Sequence, residues 1–341
     1  MLEGKHQQRS SSSSRAWICP IEWFAYTGVL ISSSTEMRSA PHGSPRVVRI
    51  AGLGPREVGL LAQGAGGELG KQDRQQGWLG YGRKRTMFRS VNGVQLHTVM
   101  FGDGPRTLVA TGGWTGSWEL WQQPFELLTA AGWRCISFDH RGSGESPVDP
   151  DLITVEAMTE DVIGVLDAYG VGQCVLAGES MGGAIAQLAV EHYPNRFTGL
   201  VLVDPAEAVF NDRRAMLAAG SRADYPATVQ AFIERCVPEP DSEHVKRWGH
   251  DILLRAEPEQ AARLLEMWQH ATASDPSRIT VPTLIVHGAA DAIVPVEYVR
   301  ALARLLPDAE LVMLDGVGHV PTMTRPHDVV AAICQRFPAV V

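Results

Sequence analysis

No stretch of the chain offers about 18 consecutive uncharged apolar residues, so a membrane-spanning helix is not expected. Basic residues are outnumbered, 30 Lys and Arg against 38 Asp and Glu, for a net charge of -8. Proteins that grip nucleic acid concentrate Lys and Arg on one face, so nucleic acid is not an expected partner. Cysteine is sparse and odd in number. Cys19, Cys135, Cys174, Cys236 and Cys334 are far apart and form no C-x-x-C pair. The usual signatures of structural zinc and dithiol redox chemistry are therefore missing, and a reducing compartment is expected. With 45% hydrophobic and 20% charged residues, the composition is that of an ordinary globular protein with one large core.

The charge is unevenly spread. Residues 1–86 hold 12 Lys and Arg against 6 Asp and Glu, whereas residues 87–341 hold 18 against 32. The first segment also carries Ser10 to Ser14, Ser32 to Ser34 and a Gly-rich stretch from Gly52 to Gly82, with little apolar period. It is expected to be a disordered extension, unrelated to the fold that begins at Met87. A secretory signal fits poorly, because Glu22 interrupts the apolar stretch Trp17 to Ile31. A transit peptide fits poorly too, given Glu3, Glu22 and Glu36, and a cytoplasmic home is expected. The stretch Ala65 to Gln72 imitates a phosphate-binding loop but lacks its first Gly and its final Ser or Thr.

After Met87 the periods alternate as βα units do. Asn92-Gly93 marks a hairpin between Phe88 to Val91 and Val94 to Phe101. Strand-length apolar runs follow at Thr107 to Thr111, Cys135 to Phe138, Cys174 to Ala177, Leu200 to Val203, Thr283 to Val286 and Glu310 to Leu314. Such apolar runs suit strands covered on both faces. Val155, Met158, Val162, Leu166 and Tyr169 step at helical spacing between a Thr154 cap and a Gly170 stop. The expected fold class is α/β: a mostly parallel, doubly wound sheet formed by residues 87–205 and 279–341. Residues 206–278 contain no strand candidate, only helical stretches opened by Asp224-Tyr225-Pro226, Asp241-Ser242 and Glu257-Pro258. This is read as a helical insertion after the sixth strand. Most of Phe210, Tyr225, Phe232, Trp248 and Trp268, with Met216 and Met267, are expected to pack the insertion against itself, and one or two to face a pocket.

Chemistry is concentrated at Gly178-Glu179-Ser180-Met181-Gly182, a G-x-S-x-G motif with a strand before it and a helix, Ala184 to His192, after it. That context describes a nucleophile elbow, whose tight bend strains the serine backbone and presents its hydroxyl at a helix N-terminus. A serine hydroxyl needs a base. His319, on the loop after the last strand run, is the candidate; His287, at a strand end, is its rival and is better suited to supporting the next loop. Asp291 is the candidate acid that would orient the imidazole, with Asp204 as the alternative. The oxyanion donors are expected to be the amides of Met181 and Trp114, the latter in Thr111-Gly112-Gly113-Trp114.

These residues resemble the α/β-hydrolase family over roughly residues 88 to 338. Asp139-His140-Arg141-Gly142-Ser143-Gly144-Glu145-Ser146 is similar to the family's D-x-R-G-x-G-x-S loop, and Pro282 to Gly288 to its strand before the acid loop. The branch resembled holds carboxylesterases, enol-lactonases, cofactor-free haloperoxidases and C–C bond hydrolases. The resemblance implies a cap formed by residues 206–278 over the pocket. Gly112 stands where the family usually has His, leaving the support of the oxyanion loop unexplained. Ser180 stands where epoxide hydrolases and haloalkane dehalogenases place Asp. The expected activity is cleavage of a small carboxylic ester, lactone or thioester through an acyl-enzyme on Ser180, without metal or organic cofactor. The alternatives are C–C bond hydrolysis of a diketone-like compound by the same triad, or a receptor that captures its ligand. A small molecule is the expected partner, with neither nucleic acid nor membrane; substrate size and oligomeric state are left open.

Overall fold

The computed structural model describes residues 84–339, so the expectations for most of the first segment lie outside the described residues. Eight strands form one sheet, β1 (Arg85–Val91), β2 (Val94–Phe101), β3 (Arg106–Thr111), β4 (Trp133–Phe138), β5 (Cys174–Glu179), β6 (Phe197–Val203), β7 (Thr283–Gly288) and β8 (Ala309–Leu314). Their spatial order is β1-β2-β4-β3-β5-β6-β7-β8. β1 and β2 form an antiparallel hairpin, β2 runs antiparallel to β4, and every later pairing is parallel. The hairpin turn has Asn92 at φ 45° and Gly93 at φ 81°, a left-handed pair suited to the right-handed strand twist. It begins at Arg85, two residues before the boundary expected at Met87, because Arg85 pairs with Met100.

The apolar runs become central strands because both sheet faces are covered. All residues of β5 and β7 are buried, whereas β1 alternates towards solvent. Ala110, Ala177, Val201 and Leu284 lie in register across β3, β5, β6 and β7 and are wholly buried. Burial of a Val or Leu contributes about 1.5–3 kcal/mol, so this row makes a stiff floor beneath the strand ends.

The helices are α1 (Gln122–Ala130), α2 (Val155–Ala168), α3 (Met181–His192), α4 (Asp212–Ala223), α5 (Tyr225–Cys236), α6 (Glu243–Leu253), α7 (Pro258–Glu266), α8 (Val296–Leu305), α9 (Pro321–Thr324) and α10 (Pro326–Arg336). The Thr154 side chain accepts from the Ala157 amide at 3.1 Å, capping α2, whose Val155, Met158, Val162 and Leu166 are buried. Helices α4 to α7 all fall between β6 and β7, the interval without strand signals. They start where the sequence cues stand: Asp224 caps α5 with Pro226 in its first turn, and Pro258 opens α7. No described helix is long and apolar enough to cross a membrane.

Candidate active site

The loops that leave the C-terminal ends of parallel strands meet at one place, as open α/β sheets generally arrange their ligand sites. Ser180 follows β5 with φ 52° and ψ -118°, a backbone conformation that costs an L-residue energy and is held by its surroundings. The Ser180 amide donates to the Val203 carbonyl at 2.9 Å, and the Ser180 carbonyl accepts from the amides of Gly183 and Ala206. The flanking glycines are forced by contact. A Cβ on Gly178 would lie 2.4 Å from the Gly182 carbonyl oxygen, and one on Gly182 would lie 2.4 Å from the Gly112 oxygen. Helix α3 starts at Met181, three residues before the expected Ala184, because those glycines are required by packing and not as helix breakers.

His319, after β8, and Asp291, after β7, converge on this elbow. His319 Nε2 lies 2.9 Å from Ser180 Oγ, and His319 Nδ1 lies 2.7 Å from Asp291 Oδ2. The other Asp291 oxygen accepts from the amides of Ile293 at 2.7 Å and Val294 at 3.0 Å, which fixes the carboxylate. The His319 amide donates to the Cys236 carbonyl at 2.7 Å, and the Gly318 amide to Glu239 Oε1 at 3.0 Å. The histidine loop is thus pinned by the end of α5.

Electrostatics separate the two groups. Burial would raise the Asp291 carboxyl, but the adjacent His319 and the two amides outweigh it and hold it below the usual carboxylate range. Burial would lower the His319 imidazole, yet Asp291, aided by Asp204 and Glu179, pushes it up to about 9. Glu179, directly before the nucleophile, is pushed up to about 8 by burial against the pull of a 2.8 Å hydrogen bond from the Thr322 hydroxyl.

Asp204, the alternative acid, lies in the same cluster but is engaged elsewhere. It accepts from the Gly288 amide at 2.9 Å, and its Oδ1 is 2.6 Å from His287 Nδ1, both side chains being inaccessible. His287 therefore adjoins Asp204, where it was expected to support the loop carrying Asp291. Asp204, Asp291 and His319 each offer one ligand atom within 4.8 Å of the others, a spacing a small cation could accept. Both imidazole nitrogens of His319 already face Ser180 and Asp291, which speaks against that use.

The loop after β3, expected to supply an oxyanion donor, approaches Ser180 closely: a Cβ on Gly113 would lie 3.1 Å from the Ser180 Cβ. Its support comes from a histidine on a different loop, one that no local sequence signal marks. His140, in the D-x-R-G loop, directs Nε2 at the Gly113 carbonyl at 2.9 Å, and the Gly116 amide donates to the same oxygen at 3.1 Å. In a trans peptide the N–H points opposite to the C=O, so holding the Gly113 carbonyl orients the Trp114 amide away from His140. Nothing at position 112 could have signalled this, since the histidine stands on another strand's loop. Asp139 steadies that loop by accepting from the amides of Trp118 at 2.8 Å and Glu145 at 2.9 Å. Arg141 forms a buried two-pronged pair with Asp161 at 2.6 and 3.0 Å.

A cavity of about 590 Å³ opens on Ser180, Met181 and Trp114, and residues of α4 and α5 line much of its wall. Of the insertion candidates, Phe232 and Met216 line it; the Phe232 ring centre lies 5.1 Å from Trp114 and 6.5 Å from His319. The Trp114 indole donates to the Ala261 carbonyl at 2.8 Å, tying the loop after β3 to α7.

Fold and strand-end geometry are those of an α/β hydrolase, and comparison agrees: residues 106–326 match the alpha/beta hydrolase fold family. The chain belongs to that family and is a hydrolase. It is 31% identical over 249 residues to a protein named as a proposed carbamate hydrolase, RutD of Variovorax paradoxus, spanning 68% of this chain and 92% of that one. A thermophilic esterase from Thermogutta terrifontis is 27% identical with a TM-score of 0.68, covering 74% of this chain and 97% of its own. The enol-lactonase of Burkholderia xenovorans shares the fold at 22% identity and TM-score 0.68, over 74% of this chain and all of its own.

Proposed function

We propose that the protein is a serine hydrolase that cleaves a small carboxylic ester, lactone or thioester through an acyl-enzyme on Ser180. The observation that carries this reading is the contact chain from Ser180 Oγ to His319 Nε2 at 2.9 Å, and from Nδ1 to Asp291 at 2.7 Å. His319 accepts the hydroxyl proton as Ser180 Oγ bonds to the substrate carbonyl carbon. The Met181 and Trp114 amides stabilise the resulting oxyanion. Collapse breaks the bond to the leaving group, which takes the proton from His319. Water then attacks the acyl carbon, His319 takes its proton, and Ser180 departs with it. Helices α4 to α7 act as the cap over the cavity. Ser180→Ala is expected to abolish turnover of short p-nitrophenyl esters, a loss on the order of 10⁶-fold in kcat, with an unchanged circular dichroism spectrum. Unchanged turnover would refute the reading.

A second reading, cleavage of a carbamate, is favoured by the relative named for that activity. The same nucleophile would attack a carbonyl flanked by nitrogen. Comparing kcat/KM for a carbamate and an ester of equal size separates the two.

A further inference from the structure

Three guanidinium groups line the cavity that opens on Ser180: Arg213 and Arg214 from α4, and Arg235 from α5. Among the described residues, Glu207 is the only one in that lining with a carboxylate side chain. The imbalance runs against the surroundings, because residues 87–341 carry 18 basic against 32 acidic residues. Elsewhere Arg141, Arg196, Arg222, Arg255, Arg278 and Arg336 are each paired with a carboxylate. The three cavity arginines, like Arg106 and Arg134, hold backbone carbonyls: Arg213 that of Ile293, Arg214 that of Glu207 and Arg235 that of Ala292. A carbonyl oxygen satisfies a donor but leaves the positive charge uncompensated.

Arg214 is the most telling of the three. Its guanidinium lies 5.1 Å from the Trp268 ring centre, and its buried Nη1 has no acceptor among the described residues. Burial pulls this group down to about 10, against the smaller opposing pull of Glu207 and Tyr298. Trp268 helps hold the side chain in place, and a guanidinium is the group best suited to recognise a carboxylate. The remaining lining includes Leu217, Leu265, Ile293 and Val294, which suits the hydrocarbon portion of a ligand.

We infer that the substrate carries a free carboxylate, remote from the scissile carbonyl, which the Arg213, Arg214 and Arg235 cluster receives within the cap. This rests on the serine-hydrolase reading and adds the substrate class to it: an acidic ester or lactone in place of a neutral one. Guanidinium forks at the cap would fix the acyl chain at its far end, leaving Ser180 to meet the carbonyl at the near end.

The test compares monoethyl esters of succinic, adipic and suberic acids with ethyl butyrate, hexanoate and octanoate, following acid release by the full-length enzyme. For at least one matched pair the acidic ester is expected to win by about tenfold or more in kcat/KM, chiefly through KM. Arg214→Gln with Arg213→Gln should bring that ratio towards one. If the double variant fails to fold, Arg213→Gln alone, at an exposed position, should still lower the ratio. In the wild-type enzyme, raising salt from about 50 to about 500 mM should raise KM for the acidic ester and leave the neutral one unmoved. Ser180-dependent turnover with no preference in any pair, or a preference indifferent to salt and to the arginines, overturns this inference and leaves the hydrolase reading standing. Turnover that survives Ser180→Ala overturns that reading and the inference with it.

Discussion

The loops at the sheet's C-terminal edge and the helical insertion above them are built on different terms. At the edge, Ser180, Asp291 and His319 are each fixed by main-chain hydrogen bonds and by glycines that no other residue could replace. In the insertion, α6 is an amphipathic helix with an exposed outer face, and α4 turns Arg213, Arg214 and Leu217 towards the cavity. The edge is thereby suited to one chemical step, whereas the insertion can change its lining without disturbing that step. On the proposed function, reaction type belongs to the first region and substrate choice to the second.

The largest way to break this division is at the acid. Asp291→Asn is expected to lower kcat by about 10⁴-fold, since the imidazole loses its charged partner and its preferred tautomer. Asp204→Asn, although in the same cluster, should lower kcat less than about tenfold, because Asp204 bonds the Gly288 amide and adjoins His287. Steady-state kinetics of both variants decides; equal losses would make the two acids a single functional unit. Next in size is His140→Ala, expected to lower kcat by about 10- to 100-fold with KM little changed, as a loosened Gly113–Trp114 peptide misplaces one oxyanion donor. A change confined to KM would show that His140 serves the cavity wall instead.

The pH profile sharpens the same comparison. His319 must be neutral to accept a proton, and its surroundings hold it above the ordinary histidine range, at about 9. Turnover of a neutral ester should therefore rise with pH, and the midpoint of its acid limb should lie above 6.5. Asp291, held below its ordinary range, stays ionised throughout that rise. A midpoint at or below 6.5 would contradict the raised imidazole. The smallest effect is expected from Phe232→Ala, on the cap side of the cavity: a several-fold change in KM that depends on acyl length, with kcat within about threefold.

Much of the edge was legible in sequence because its signals are local. Strand runs were largely apolar, the G-x-S-x-G turn stood between a strand and a helix, and Ser180, Asp291 and His319 each sat just past a strand. The start of α3 was misplaced because Gly182 and Gly183 look like helix breakers until the backbones they approach are known. The role of His140 was hidden for a related reason: its partner Gly113 lies 27 positions earlier, on a loop that only the parallel β3–β4 pairing brings alongside. His287 was seen as a loop support, yet the β6–β7 pairing sets it against Asp204. The cavity arginines were illegible, since helical spacing tells which residues share a face but not what that face looks upon.

The central claim is that Ser180 becomes covalently acylated with the help of His319. Incubation with an organophosphate ester followed by peptide mass spectrometry tests it directly. The account predicts a single adduct on the peptide containing Ser180, formed far more slowly in His319→Ala and absent in Ser180→Ala. An adduct elsewhere, or a labelling rate indifferent to His319, would contradict it.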